Sequence, residues 1–179
     1  NKSLKLIDTS DQSIRILEPE VNSSVVASSG PLVAFSGKSP SGPSVNITSA
    51  DSDLTLTILL DPRSSERIEE SIKNSGTSLD FDNSTVVELV MDSNWLVATV
   101  DVGPFNRTIL VDTLSINQTL ISNPRWDSSS PSIGDGKIAF LQVTRDSIIS
   151  STEDSFRNND VYVYDMESVE TIQYTFDEE

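Results

Sequence analysis

Ser132-Ile133-Gly134-Asp135-Gly136-Lys137-Ile138-Ala139-Phe140, followed by Asn159-Asp160-Val161-Tyr162-Val163-Tyr164-Asp165, is the stretch whose reading decides the fold. Gly134-Asp135-Gly136 separates two β-prone runs, as a tight hairpin turn does. The second part is a β-rich run closed by aspartate, then a polar turn, then Thr171-Ile172-Gln173-Tyr174. Two successive hairpins are predicted, giving four antiparallel strands A, B, C and D with tight turns at A–B and C–D.

The same order recurs upstream. Leu4-Lys5-Leu6-Ile7-Asp8, Thr57-Ile58-Leu59-Leu60-Asp61 and Thr108-Ile109-Leu110-Val111-Asp112 match the aspartate-closed run, and the four aspartates fall 53, 51 and 53 residues apart. A period of that size is the mark of a repeat architecture. Each run has a follower expected as strand D: Ser13-Ile14-Arg15-Ile16-Leu17, Glu66-Arg67-Ile68-Glu69 and Gln118-Thr119-Leu120-Ile121. Leu32-Val33-Ala34-Phe35 and Leu96-Val97-Ala98-Thr99 are the matching B strands. They follow A strands at Ser24-Val25-Val26-Ala27 and Val86-Val87-Glu88-Leu89-Val90. The B–C loops are expected at 36–53, 101–107 and 144–160, with the Ser- and Pro-rich part of the first, 36–46, a flexible excursion.

Four-stranded sheets in tandem build a β-propeller, each blade packing on its neighbours around an axis. Middle strands covered on both faces read as continuous apolar runs, as 54–60 and 161–164 do. A β-sandwich of short strands is the alternative, although it does not require the same four-strand order three times. Residues 123–140 with 159–165 also resemble a blade of the TolB-like (WD40-like) β-propellers, whose pattern runs "ser-pro-x-ile-(ser)-gly-asp-gly-x-ile-ala-phe" and then "asp-ile-tyr-val-tyr-asp". The earlier units follow it in outline, without the Asp-x-Tyr start of strand C or the Ser-Pro of strand A. The resemblance implies a propeller and not a chemistry, because such blades occur in translocation-complex components, peptidase accessory domains and surface-binding proteins.

The fold expected is all-β, a propeller segment of about three and a half four-stranded antiparallel blades. A C–D half blade occupies 1–17, and blades occupy 18–72, 73–122 and 123–179. Closed propellers have about four to eight blades, so the partners expected first are the remaining blades or a second subunit. In particular, the unpaired edge of the 4–8 strand is expected to hydrogen-bond to a strand outside residues 1–179.

The chain has no cysteine and no histidine. Thiol nucleophiles, Ser-His-Asp triads and Cys- or His-ligated zinc cannot be built from it alone. Its net charge of −16, from 28 acidic and 12 basic residues, disfavours nucleic acid and anionic membranes as partners. No apolar run reaches the roughly 18 residues of a membrane span. Asn-x-Ser/Thr occurs at six of the eleven asparagines: Asn1, Asn22, Asn46, Asn83, Asn106 and Asn117. Ser and Thr make up 45 of 179 residues, so chance alone supplies about half that number. Asn46, Asn83, Asn106 and Asn117 are the expected glycosylation positions, which places the protein outside the cytoplasm, extracellular or at the cell surface.

In a propeller the D–A and B–C loops open on one face, where such scaffolds carry variable binding surfaces. Arg125, Trp126 and Asp127 of the last D–A loop, with Arg145 and Asp160 of the last B–C loop, are the candidate binding residues. Trp beside Arg is a usual hot-spot composition, and the competing reading of Trp126 is a ring wedged between blades. Asp80-Phe81-Asp82-Asn83 offers oxygen ligands of the kind calcium takes, but lacks the glycine and distal glutamate of a known loop. No other cofactor is expected. No specific carboxylate pair marks a glycosidase. The function expected is a non-enzymatic interaction or structural module for a protein or glycan ligand; the alternative is the propeller portion of an enzyme whose catalytic residues lie outside this chain.

Overall fold

A computed structural model describes residues 4–7, 14–18, 25–52, 54–143 and 159–175. Strands β1 (Leu4–Ile7) and β2 (Ile14–Glu18) form an antiparallel hairpin. Three four-stranded antiparallel meanders follow. The first blade is β3 (Val26–Ser29), β4 (Leu32–Ser39), β5 (Gly42–Ser49) and β6 (Thr55–Leu59). Helix α1 (Glu66–Asn74) then leads to the second blade, β7 (Thr85–Asp92), β8 (Trp95–Asp101), β9 (Asn106–Asp112) and β10 (Gln118–Leu120). The third is β11 (Asp127–Gly134), β12 (Lys137–Val143), β13 (Asp160–Asp165) and β14 (Glu170–Gln173). The molecule is an all-β propeller segment of three blades and a half, and the A strands β3, β7 and β11 pack on one another in sequence.

The register aligns the blades position by position. The A–B turns are two-residue loops closed by Ser29–Leu32, Asp92–Trp95 and Gly134–Lys137. At the third, Asp135 and Gly136 have φ of 49° and 71°, the left-handed pair that a tight turn between twisted strands requires. Alternation along each strand makes two faces. One face of the second blade turns Leu96, Ala98, Val100, Ile109 and Val111 toward Ala34, Val45, Ile47 and Ile58 of the first. Its other face turns Val97, Leu110 and Ile121 toward Ile138, Phe140, Tyr162 and Tyr164 of the third.

Three expectations for residues 36–74 are corrected. The stretch expected as a flexible loop is a β-hairpin, β4 to β5, turning through Pro40 and Ser41 with Gly42 at φ 125°. The 54–60 run is therefore the outer strand of its blade and not a middle one, with Leu54, Leu56 and Leu59 exposed. The expected D strand at 66–69 is the first turn of α1, which buries Ile72 and packs Ile68 against the core of the first two blades.

The aspartate repeat misled there because aspartate marks turn chemistry and not a blade position. Asp112 and Asp165 end the C strands β9 and β13 and accept the backbone N–H two residues on, from Leu114 and Glu167. Asp61 accepts the same bond from Arg63, but follows a D strand. In the first blade Ser49 holds the C-strand position, its hydroxyl accepting from Asp51 N. Either side chain makes the local turn.

Candidate functional site

The connection 60–84, between the first two blades, lies at the B–C and D–A end. Its helix follows from local signals: glutamates in the first turn, Lys73 in the last, both matched to the helix dipole, and Gly76 just past the end at φ 82°. The helix presents Glu69 to Arg107, which sits at the start of β9 and is fully buried. Arg107 Nη1 donates to Glu69 Oε1 at 2.7 Å and to the Pro62 carbonyl at 2.7 Å. Nη2 donates to the Pro124 carbonyl at 2.9 Å and to Glu69 Oε2 at 3.3 Å. The guanidinium lies 5.6 Å from the centroid of the Phe81 ring, and Arg63 lies 5.1 Å from the same centroid. Arg107 thus ties together both D–A connections and the second blade.

Burial alone would push the Glu69 carboxyl up. The bonds from Arg107 and Ser64 and the Arg107 charge more than offset it and hold the group below its ordinary value. Ser64 gives Glu69 Oε1 both its backbone N–H and its hydroxyl, each at 2.6 Å. Beside this pair runs a groove of about 500 Å³ between the helix and the 77–81 segment. Its walls are acidic on the helix side, with Glu66, Glu69 and Glu70, and apolar on the other, with Leu79 and Phe81; Lys73 closes the helix side.

Four of the candidate binding residues, Arg125, Trp126, Asp127 and Asp160, lie at this same end but work in different directions. Arg125 is exposed and donates to Ser71 Oγ of α1 at 2.8 Å. Trp126 is half-buried at the junction of the second and third blades, its ring centroid 5.8 Å from that of Tyr162. Asp127 accepts the Asn106 N–H at 2.8 Å. Asp160 sits across the third sheet from Asp127, since Gln142 pairs with Asp160 and the neighbouring Val143 with Asp127. Its carboxylate accepts the Thr175 hydroxyl at 3.2 Å. Arg145 lies outside the described residues, as do Asn1 and Asn22.

The four expected glycosylation asparagines differ in surroundings. Asn83 and Asn117 are exposed. Asn106 is half-buried at the start of β9. Asn46 is half-buried in the middle strand β5 of the first blade. There it accepts the Thr57 hydroxyl at 2.7 Å, and its Nδ2 lies 2.9 Å from where a side chain on Gly37 would begin. In the Asp80–Asn83 loop, Asp80 uses both carboxylate oxygens on Asn83, accepting its backbone N–H at 3.0 Å and its Nδ2 at 2.8 Å; these bonds lower the Asp80 carboxyl below its ordinary value.

Sequence reasoning missed Arg107, Glu69 and Phe81. The helix was open to detection, because Ser64 and Ser65 precede Glu66, Ile68 and Ile72 are four apart, and Gly76 follows. No local pattern marks Arg107, whose partners lie 17 to 45 residues away along the chain. No protein-family model and no curated protein matches this chain.

Proposed function

We propose that this protein is an interaction module: an exported or cell-surface propeller that offers its loop face to a protein or glycan partner and carries out no reaction of its own. The observation that carries this reading is the groove beside α1. It has the mixed character of a recognition site, with carboxylates on one wall and Leu79 and Phe81 on the other, and the Arg107–Glu69 pair fixes its geometry from behind. The blade resemblance to the TolB-like propellers, the acidic surface and the exposed sequons at Asn83 and Asn117 support the same reading. An acidic groove with an apolar wall suits a Lys- or Arg-bearing segment, whose aliphatic stem packs on the wall while its head meets the glutamates.

Titration calorimetry with Lys/Arg-rich peptides, beside a glycan array, tests the assignment. Binding that weakens with added salt and is lost in the Glu66→Lys/Glu70→Lys variant is expected. If no probe binds, or if binding is unchanged in that variant, the groove is not the site. Glycopeptide mass spectrometry of protein purified from its native source tests export, with sugar expected at Asn83 or Asn117.

A further inference from the structure

We propose that the outer face of the third blade docks the outer face of the β1–β2 hairpin of a second copy of this chain, head to tail. Pairing register identifies one position in each blade opposite the same C-strand site: Ile58 opposite Val45, Ile121 opposite Thr108 and Tyr174 opposite Val161. Ile58 is 2% exposed and Ile121 5%, each covered by the next blade, whereas Tyr174 is 66% exposed. The rest of that face behaves alike. Val97 and Leu110 of the second blade are buried against the third, but their equivalents Ala139 and Val163 are only half-buried; Ile172 beside Val163 is at the rim of this face, where the equivalent Leu56 and Thr119 are exposed too. The third blade therefore repeats an apolar docking face that both earlier blades use, with no neighbour on it among the described residues.

The hairpin supplies the complementary face. Arg15 points toward the first blade, donating to the Ser49 carbonyl at 2.7 Å. Register puts Ile7, Ile14 and Ile16 on the opposite side, 59%, 60% and 58% exposed, with the exposed Lys5 beside Ile16 on the same face. That side corresponds to the one through which the second and third blades dock on the blade before them. The hairpin of a second copy thus continues the pattern of the two blade junctions already formed. The contact joins unlike faces, so copies close into a ring or extend.

Light scattering over rising concentration tests this, with a mass of at least twice the 19.5 kDa of one chain expected. The variants Ile14→Lys/Ile16→Lys and Ile172→Lys/Tyr174→Lys should each remain at single-chain mass, and a mixture of the two should associate again through the one intact pair of faces. All four residues are exposed, so folding should survive, and melting curves check it. Because the chain has no cysteine, Ile16→Cys and Ile172→Cys chains give an independent readout. Mixed and oxidised, they should form a disulfide-linked pair, while neither alone should. A wild type that stays at single-chain mass, either Lys variant that still associates, a mixture that fails to recover, or cross-links within one Cys variant alone would overturn the proposal.

Discussion

The two blade junctions are closed at the loop end by opposite chemistries. Between the first and second blades, an apolar interface is capped by a helix and a buried ion pair, Arg107 with Glu69. Between the second and third, the cap is aromatic, Trp126 against Tyr162, and the interface holds a buried hydroxyl pair, Thr108 with Ser128 at 2.6 Å. Both caps belong to D–A connections, and Arg107 bonds to each. The difference teaches that one repeat tolerates either solution: the strands need only a cover that excludes water from their ends, and the connection's own residues decide which.

Breaking the ion pair gives the largest expected effect. Arg107→Met removes the charge and keeps much of the volume, leaving Glu69 without its main partner; about 3 kcal/mol of stability should be lost. Acid sharpens the contrast. With its folded value held below the ordinary 4.5, Glu69 contributes stability that is complete above that pH and lost as pH falls through the lowered value. In Arg107→Met, burial acts with less opposition and shifts the carboxyl upward, so the variant's deficit should be larger at pH 7 than at pH 4. Urea melts at the two pH values check both signs. An equal deficit at each would show that Arg107 acts by packing alone.

Trp126→Ala comes next. A half-buried ring that packs against Tyr162 and the third-blade core should cost roughly 2–3 kcal/mol, below the range for a fully buried aromatic. The loss should not change between pH 4 and pH 7, since no carboxylate among the described residues bonds the ring. A melting temperature equal to wild type, with partner binding abolished, would instead make Trp126 a binding residue.

How far the sequence disclosed this follows from the range of each interaction. The strand order of the second and third blades was legible because alternation, tight turns and the Gly134-Asp135-Gly136 signal are local. The first blade was misread where a local signal, aspartate after an apolar run, serves two different turns, and where the Ser- and Pro-rich composition of 36–46 suggested a loose loop although Pro40 and Ser41 make a hairpin turn there. The position of Arg125, Trp126, Asp127 and Asp160 at one end of the fold was open to inference from blade topology. The Arg107 network was not, because what assembles it is the docking of a helix onto a blade, with the pair 38 residues apart.

Turn strain allows a smaller effect of opposite sign. The C–D turns of the second and third blades place β-branched residues in the left-handed region, Ile116 at φ 62° and Val169 at φ 60°. Both side chains are exposed, 48% and 65%, so little packing opposes a change. Ile116→Asn should raise stability by about 1 kcal/mol, since asparagine tolerates that conformation, and Val169→Asn should do the same. A loss in either would mean that the exposed side chain is covered in the assembled protein, which melts above and below the association concentration would reveal.

The smallest effect is expected at the exposed ion pair, Lys137 with Asp165, at the turn end opposite Arg107. Asp165 closes its C–D turn through Oδ1, which accepts from the Glu167 and Ser168 backbones, while Lys137 bonds only Oδ2. In the second blade Ser115 bonds Asp112 Oδ2 instead, and Trp95 stands at the position of Lys137, so the turn does not depend on a lysine. Bonding to Lys137 lowers the Asp165 carboxyl, but both groups are open to water, where screening leaves such pairs little net worth. Lys137→Ala should therefore leave the melting temperature within replicate scatter, whereas Asp165→Ala should lower it by releasing the turn. If the two variants lose the same amount, the pair itself holds the turn, and the distinction between a buried ion pair that organises a junction and an exposed one that decorates a turn fails for this molecule.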